Sequence, residues 1–182
     1  MVQEDKKGRI LDAALRLFVE KGIDNTSTSL ISKEAGIATG TLYLYFKNKV
    51  DLINELYTSI EEEKLSIFDT SVSEYSTEFF EKSWMDTIEW GVNNPDKFKF
   101  IRQFNSSPYY ANYDNKRLAD NEKHILKLIK SGVEKKQLKN LPPEYMLGLL
   151  SVHLALTMEY TVNTKTKERK MFFESLLEGI KY

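Results

Sequence analysis

Hydroxyls, phenols and lysines crowd residues 26–49, TSTSLISKEAGIATGTLYLYFKNK, in a pattern suited to hydrogen-bonding phosphates and base edges rather than to breaking covalent bonds. Ser27, Thr28 and Ser29 open one short apolar run; Thr39, Gly40, Thr41, Tyr43, Leu44, Tyr45, Lys47 and Lys49 lie in and after a second. Short hydroxyls reach base edges or phosphates, a tyrosine O–H donates to a phosphate oxygen, and a leucine in the major groove meets a thymine methyl. Lys47 and Lys49 add positive charge. These residues are the expected contacts to double-stranded DNA. Catalysis is poorly served: the 182 residues include no cysteine, two histidines and no Glu-x-x-His pair for a di-iron site. No catalytic residue, metal or cofactor is expected, and a helical-bundle enzyme is the weakest reading.

Such contacts need two short helices set at a steep angle. Ser27 or Thr28 caps the first, whose inward residues are Ile31 and Ala35 at i, i+4. Gly36 ends it, because glycine accepts the left-handed conformation that closes a helix, and Ile37 plugs the corner. A second helix over 39–46 buries Leu42 and Phe46 and leaves Thr39, Thr41, Tyr43, Leu44 and Lys47 on other faces. An earlier helix, from about Glu4 to Lys21, roofs the pair with Ile10, Ala14, Leu17 and Phe18 and stops at Gly22.

The run AGIATGTLYLYFKNKVDL resembles the signature of the TetR family of bacterial transcriptional regulators, roughly A-G-V-S-x-G-T-L-Y-x-Y-F-x-x-K-x-x-L. The likeness covers Ala35, Gly36, Gly40, Thr41, Leu42, Tyr43, Tyr45, Phe46, Lys49 and Leu52, and upstream Ala13, Ala14, Phe18 and Gly22. It spans about the first fifty residues. Ala38 departs from a serine that often caps the recognition helix, which leaves the capping to Thr39; Leu30 departs from a usually polar position. The resemblance implies an operator-bound homodimer, and a small-molecule effector held among the central helices.

Charge is divided unevenly. Residues 1–50 carry 8 Lys/Arg against 6 Asp/Glu, and residues 51–182 carry 18 against 21. A head this mildly basic gains affinity from placed phosphate contacts, doubled in a dimer, rather than from a broad field. The opening MVQEDKKGR has no apolar core of a leader, and the apolar stretch 147–156 is interrupted by Ser151 and His153. A cytoplasmic protein without membrane attachment is expected.

With four prolines and no sustained alternation of apolar and polar residues, the whole chain reads as all-α. Residues 1–48 form the expected helix-turn-helix domain, and 49–182 a helical bundle for effector binding and dimerisation. Asn48 caps a long helix carrying Leu52, Leu56 and Ile60, whose Glu61, Glu62 and Glu63 read as a solvated face. Helices follow over about 76–93, 96–104 and 113–136, and His124 is read as a surface residue. A helix from Tyr145 to Val162, apolar around most of its circumference, and one from Lys167 to Ile180 form the expected dimer interface. Trp84, Ile88, Phe100, Phe104, Tyr109 and His153 are the candidate effector contacts, although aromatics at helical spacing read first as core and His153 equally as a hydrogen-bonded core residue. The function expected is repression relieved by a ligand; the alternatives are an activator or an effector-independent architectural regulator.

Overall fold

The computed structural model describes residues 5–114, 116 and 118–182, so Glu4 at the expected start of the first helix lies outside them, as do Asn115 and Arg117. The described residues form α1 (Lys6–Lys21), α2 (Thr28–Glu34), α3 (Thr39–Tyr45), α4 (Lys49–Leu65), α5 (Thr77–Asn93), α6 (Pro95–Asn105), a 3-10 turn (Tyr110–Asn112), α7 (Ala119–Glu134), α8 (Pro143–Thr164) and α9 (Arg169–Ile180). The fold is all-α. Its sole extended pairing among the described residues is an isolated bridge between Leu138 and Lys181.

The chain divides into two compact units. One holds α1 to α3, α4 up to Glu61, and α6 from Asp96 with the turn after it; the other holds the end of α4, α5, and α7 to α9. In the first unit α1 begins where Asp5 accepts the Gly8 N–H at 2.8 Å and ends at Gly22, whose φ of +87° suits glycine. It buries Ile10, Ala13, Ala14, Leu17 and Phe18. Asn48 Oδ1 accepts the Asp51 N–H at 2.9 Å and starts α4. Phe100 and Phe104 of α6 are fully buried here, Phe100 stacked on Phe18 at 5.8 Å and Phe104 on Tyr57 at 4.0 Å.

The second unit is built on Tyr75, Trp84, Ile88, Ile129, Leu138, Met146, Phe173, Leu176 and Ile180. Ser76 caps α5 by accepting the Phe79 N–H at 3.1 Å, and Asn94 precedes Pro95 where the helix stops. The C-terminus is tied back by Lys139 N–H on the Ile180 carbonyl at 2.8 Å.

Three expectations change. Helix α7 starts at Ala119 and not at Tyr113, because Tyr113 is extended, with its ring edge-on to Tyr57 and Phe104 and its hydroxyl 2.7 Å from that of Thr58. The acid run is no uniform solvated face: Glu61 is buried beside Tyr57, and Glu63 accepts the Trp90 indole N–H at 2.9 Å. Burial, with Glu61 adding to it, pushes the Tyr57 phenol above its ordinary range. His124 is half-buried, with Nε2 shielded from solvent, and not a surface residue. On α8, Tyr145, Val152, Leu156 and Tyr160 are exposed.

Gly132 of α7 lies where the Tyr75 ring and Leu138 close over the helix; a methyl built there sits 2.8 Å from each. Overpacking at such a point costs about 1–3 kcal/mol. Gly132→Ala therefore lowers stability in urea unfolding by about that amount, and an unshifted midpoint would show that the contact yields freely.

Candidate nucleic-acid interface

The corner between α2 and α3 is built from hydrogen bonds three to five residues apart. Ser27 Oγ accepts the Leu30 N–H at 3.2 Å and starts α2. At its end the Gly36 N–H reaches the Lys33 carbonyl at 3.1 Å and the Ile37 N–H the Ser32 carbonyl at 3.0 Å, the paired closure of a helix whose next residue is left-handed. Gly36 has φ +66°, and Ile37 is half-buried in the corner. From α1, the Arg9 guanidinium donates to the Ala35 carbonyl and, at 3.4 Å, to that of Gly36.

Helix α3 then starts at an extended Ala38 with no side-chain cap, so Thr39 does not take over the capping that its neighbour lacks. Instead the backbone closes on itself, Thr41 N–H to the Ala38 carbonyl at 2.9 Å. Leu42 and Phe46 are buried, which turns the opposite face outward: Leu44 is 83% exposed, Tyr43 48% and Tyr45 45%. Thr39 and Thr41 are half-buried; Gly40, Lys47, Ser27 and Ser29 are exposed. The Tyr43 hydroxyl lies 3.0 Å from the Thr28 hydroxyl, joining the starts of α2 and α3's outer face. Leu30, at its family-unusual position, is half-buried.

Lys49 is placed differently from the other proposed contacts. Its ammonium donates to the Asp24 carbonyl at 3.3 Å, and burial lowers its pKa while the Asp24 charge opposes that shift. The Asp24 carboxylate accepts the Tyr109 O–H at 3.0 Å, and burial together with that acceptor raises the phenol's pKa. Sequence reasoning missed the Arg9 clamp, the Thr28–Tyr43 link, the Asp24–Tyr109 bond and the exposure of Val50. No local pattern announces them, because each is a matter of which surfaces meet.

The six candidate effector residues are divided between the two units. Phe100, Phe104 and Tyr109 belong to the first unit, the two phenylalanines as its core, whereas Trp84, Ile88 and His153 belong to the second. There the Trp84 ring stands 5.4 Å from His153 and 5.7 Å from Phe173, and its indole N–H is buried without a protein partner. The same unit has an apolar crevice of about 10 Å³, room for about one water, lined by Tyr75, Phe80, Leu138, Leu150, Phe173, Leu176, Leu177 and Ile180. Among the described residues no three acidic or histidine side chains gather as a metal site, and no helix is long and apolar enough to cross a membrane.

An all-α chain with this corner and an outward-facing α3 defines a helix-turn-helix protein. Residues 10–56 match the family described as bacterial regulatory proteins, tetR family. The fatty acid metabolism regulator protein of Bacillus subtilis (strain 168) is 47% identical over 49 residues, which cover 27% of this chain and 25% of that protein. An HTH-type transcriptional regulator of Haemophilus influenzae is 28% identical over 109 residues, 58% of each. Matches to these curated relatives thus span a quarter to somewhat over half of their length. Over the whole fold, a chain from Shewanella sp. PV-4 assigned to the tetR family superposes with a TM-score of 0.87 at 28% identity, covering 98% of this chain and all of the other. FadR of Bacillus subtilis, solved with stearoyl-CoA, gives a TM-score of 0.77 at 21% identity, over 94% of this chain and 95% of that one. The chain thus matches the tetR family in sequence over residues 10–56 and shares its whole fold with a solved chain assigned to that family.

Burial holds the His153 imidazole below its ordinary range. Below about pH 6.5 the unfolded chain therefore takes up a proton that the folded chain refuses, so stability present above that pH is lost as the pH falls toward the folded-state pKa. Thermal unfolding between pH 7.5 and 5 is expected to show this loss, flattened in His153→Gln; identical pH profiles for the two proteins would remove His153 as its source.

Proposed function

We propose that this protein is a sequence-specific DNA-binding transcriptional regulator, a repressor whose homodimer leaves its operator when a small molecule binds. The observation that carries the reading is the face of α3 turned away from the head's core, where Leu44, Tyr43 and Tyr45 have no packing duty that explains their exposure. Residues 1–48 are assigned to DNA and 49–182 to effector binding and dimerisation. Ser27, Thr28, Ser29, Thr39, Gly40, Thr41 and Lys47 are taken as phosphate or base contacts beside the three exposed side chains, and Lys49 as a contact that first exchanges the Asp24 carbonyl for a phosphate.

Two helices entering successive major grooves about 34 Å apart require a two-fold partner. Support for one comes from α8, where Tyr145, Val152, Leu156 and Tyr160 recur at helical spacing as an exposed stripe, with exposed Gly148, Ser151 and Ala155 beside it and Met171 exposed on α9. A self-complementary apolar stripe of this kind suits an isologous interface.

The effector is assigned to the second unit, near Trp84, Ile88 and His153. An apolar molecule with one hydrogen-bond acceptor fits the buried, unpartnered indole N–H and the aromatic surroundings. FadR of Bacillus subtilis was solved in complex with stearoyl-CoA, a molecule whose stearoyl chain is apolar. Release requires the effector to favour a state whose heads no longer match the operator, a coupling of about 1–3 kcal/mol. The protein is assigned to the cytoplasm, where operator DNA is.

Selection of genomic fragments with purified protein at about 100 mM salt tests the reading directly. A short palindrome is the expected result, whereas salt-sensitive binding without sequence preference would replace regulation at an operator by an architectural role. For the interface, Leu156→Glu is expected to give a helical monomer in sedimentation; a retained dimer would take α8 out of it.

A further inference from the structure

Helix α3 lacks the side chains by which bases are usually read. Between Thr39 and Tyr45 the sequence TGTLYLY holds no Arg or Lys for guanine, no Asn or Gln for adenine, and no Asp or Glu for cytosine. Hydroxyl and alkyl groups remain. Leu44 stands two residues from each of the buried Leu42 and Phe46, about half a helical turn away, and so points from the head at the centre of the outward face. It is the most exposed large hydrophobic side chain among the described residues.

Two neighbours shape its surroundings. One turn earlier, a Cβ built at Gly40 meets nothing within 4 Å, so the head's own packing does not require glycine there. The bare backbone leaves the flank of Leu44 open to a close-approaching base. Beside it, Tyr43 is held by the Thr28 hydroxyl, which suits a positioning contact to the backbone rather than a probe of base identity.

We propose that Leu44 is the residue that determines base preference, by packing on the C5-methyl of a thymine in the major groove. Each half-site is then specified by a methyl group at a fixed position and not by a bidentate hydrogen bond to a purine. Burying the leucine against the methyl removes two apolar surfaces from water at once, and cytosine and the purines offer no such group. This rests on the regulator reading above.

The test begins with the tightest duplex recovered from a random-sequence selection. Each thymine is replaced singly by deoxyuridine, which removes only the methyl, and the dissociation constant is measured at about 100 mM salt. One thymine per half-site is expected to lose about fourfold on replacement, the worth of one buried methyl. Leu44→Ala is expected to bind more weakly, with unchanged salt dependence and with no further loss on that same replacement. An unchanged melting temperature keeps the variant's weaker binding from being read as unfolding. A flat uracil scan, or an equal uracil penalty in Leu44→Ala, overturns the assignment while leaving the DNA-binding function intact; failure to select any duplex overturns both.

Discussion

The outward face of α3 exists because the chain reverses through one left-handed residue under one guanidinium. Gly36, at φ +66°, lets the last carbonyls of α2 be answered by the N–H groups of Gly36 and Ile37. Arg9 then spans from α1 to the carbonyls of Ala35 and Gly36. A side chain at position 36 resists the backbone conformation, and its Cβ, 2.7 Å from the guanidinium nitrogen, requires that end of Arg9 to shift. The corner so fixed decides which side of α3 packs. Leu42 and Phe46 go inward, and the orientation of Tyr43, Leu44 and Tyr45 follows.

Several of the head's cations are already engaged inside the protein. Lys7 pairs with Glu55 at 2.6 Å and Arg16 with Glu34 at 3.2 Å, while Lys49 is satisfied by a backbone carbonyl. Exposed pairs of this kind are worth about 0–1 kcal/mol each, so exchanging a carboxylate for a phosphate loses little. A modest net charge is therefore compatible with DNA contact.

The second unit poses a different balance. Its core is dense with aromatic and aliphatic side chains, yet the Trp84 indole N–H and the Thr161 hydroxyl are buried without protein partners. Leaving such a group unanswered costs about 1–3 kcal/mol, which an acceptor placed beside it would offset. Helix α8 shows a related incompleteness in its exposed apolar stripe.

Local signals in the sequence determined the helices and their ends. Ser27, Gly36, Asn48 and Ser76 each act within three to five residues of themselves, and the spacing of Leu42 and Phe46 is enough to say which side of α3 faces inward. The all-α class and the outward tyrosines and leucine were legible for that reason. Tertiary structure alone decided which rings meet: Phe100 and Phe104 stack on Phe18 and Tyr57 in the first unit. It likewise buried Glu61, shielded His124 and delayed α7 until Ala119. Helical periodicity marks a side chain as needing cover, but the partner that covers it can lie eighty residues away, and no local hydrogen bond or spacing records that distance.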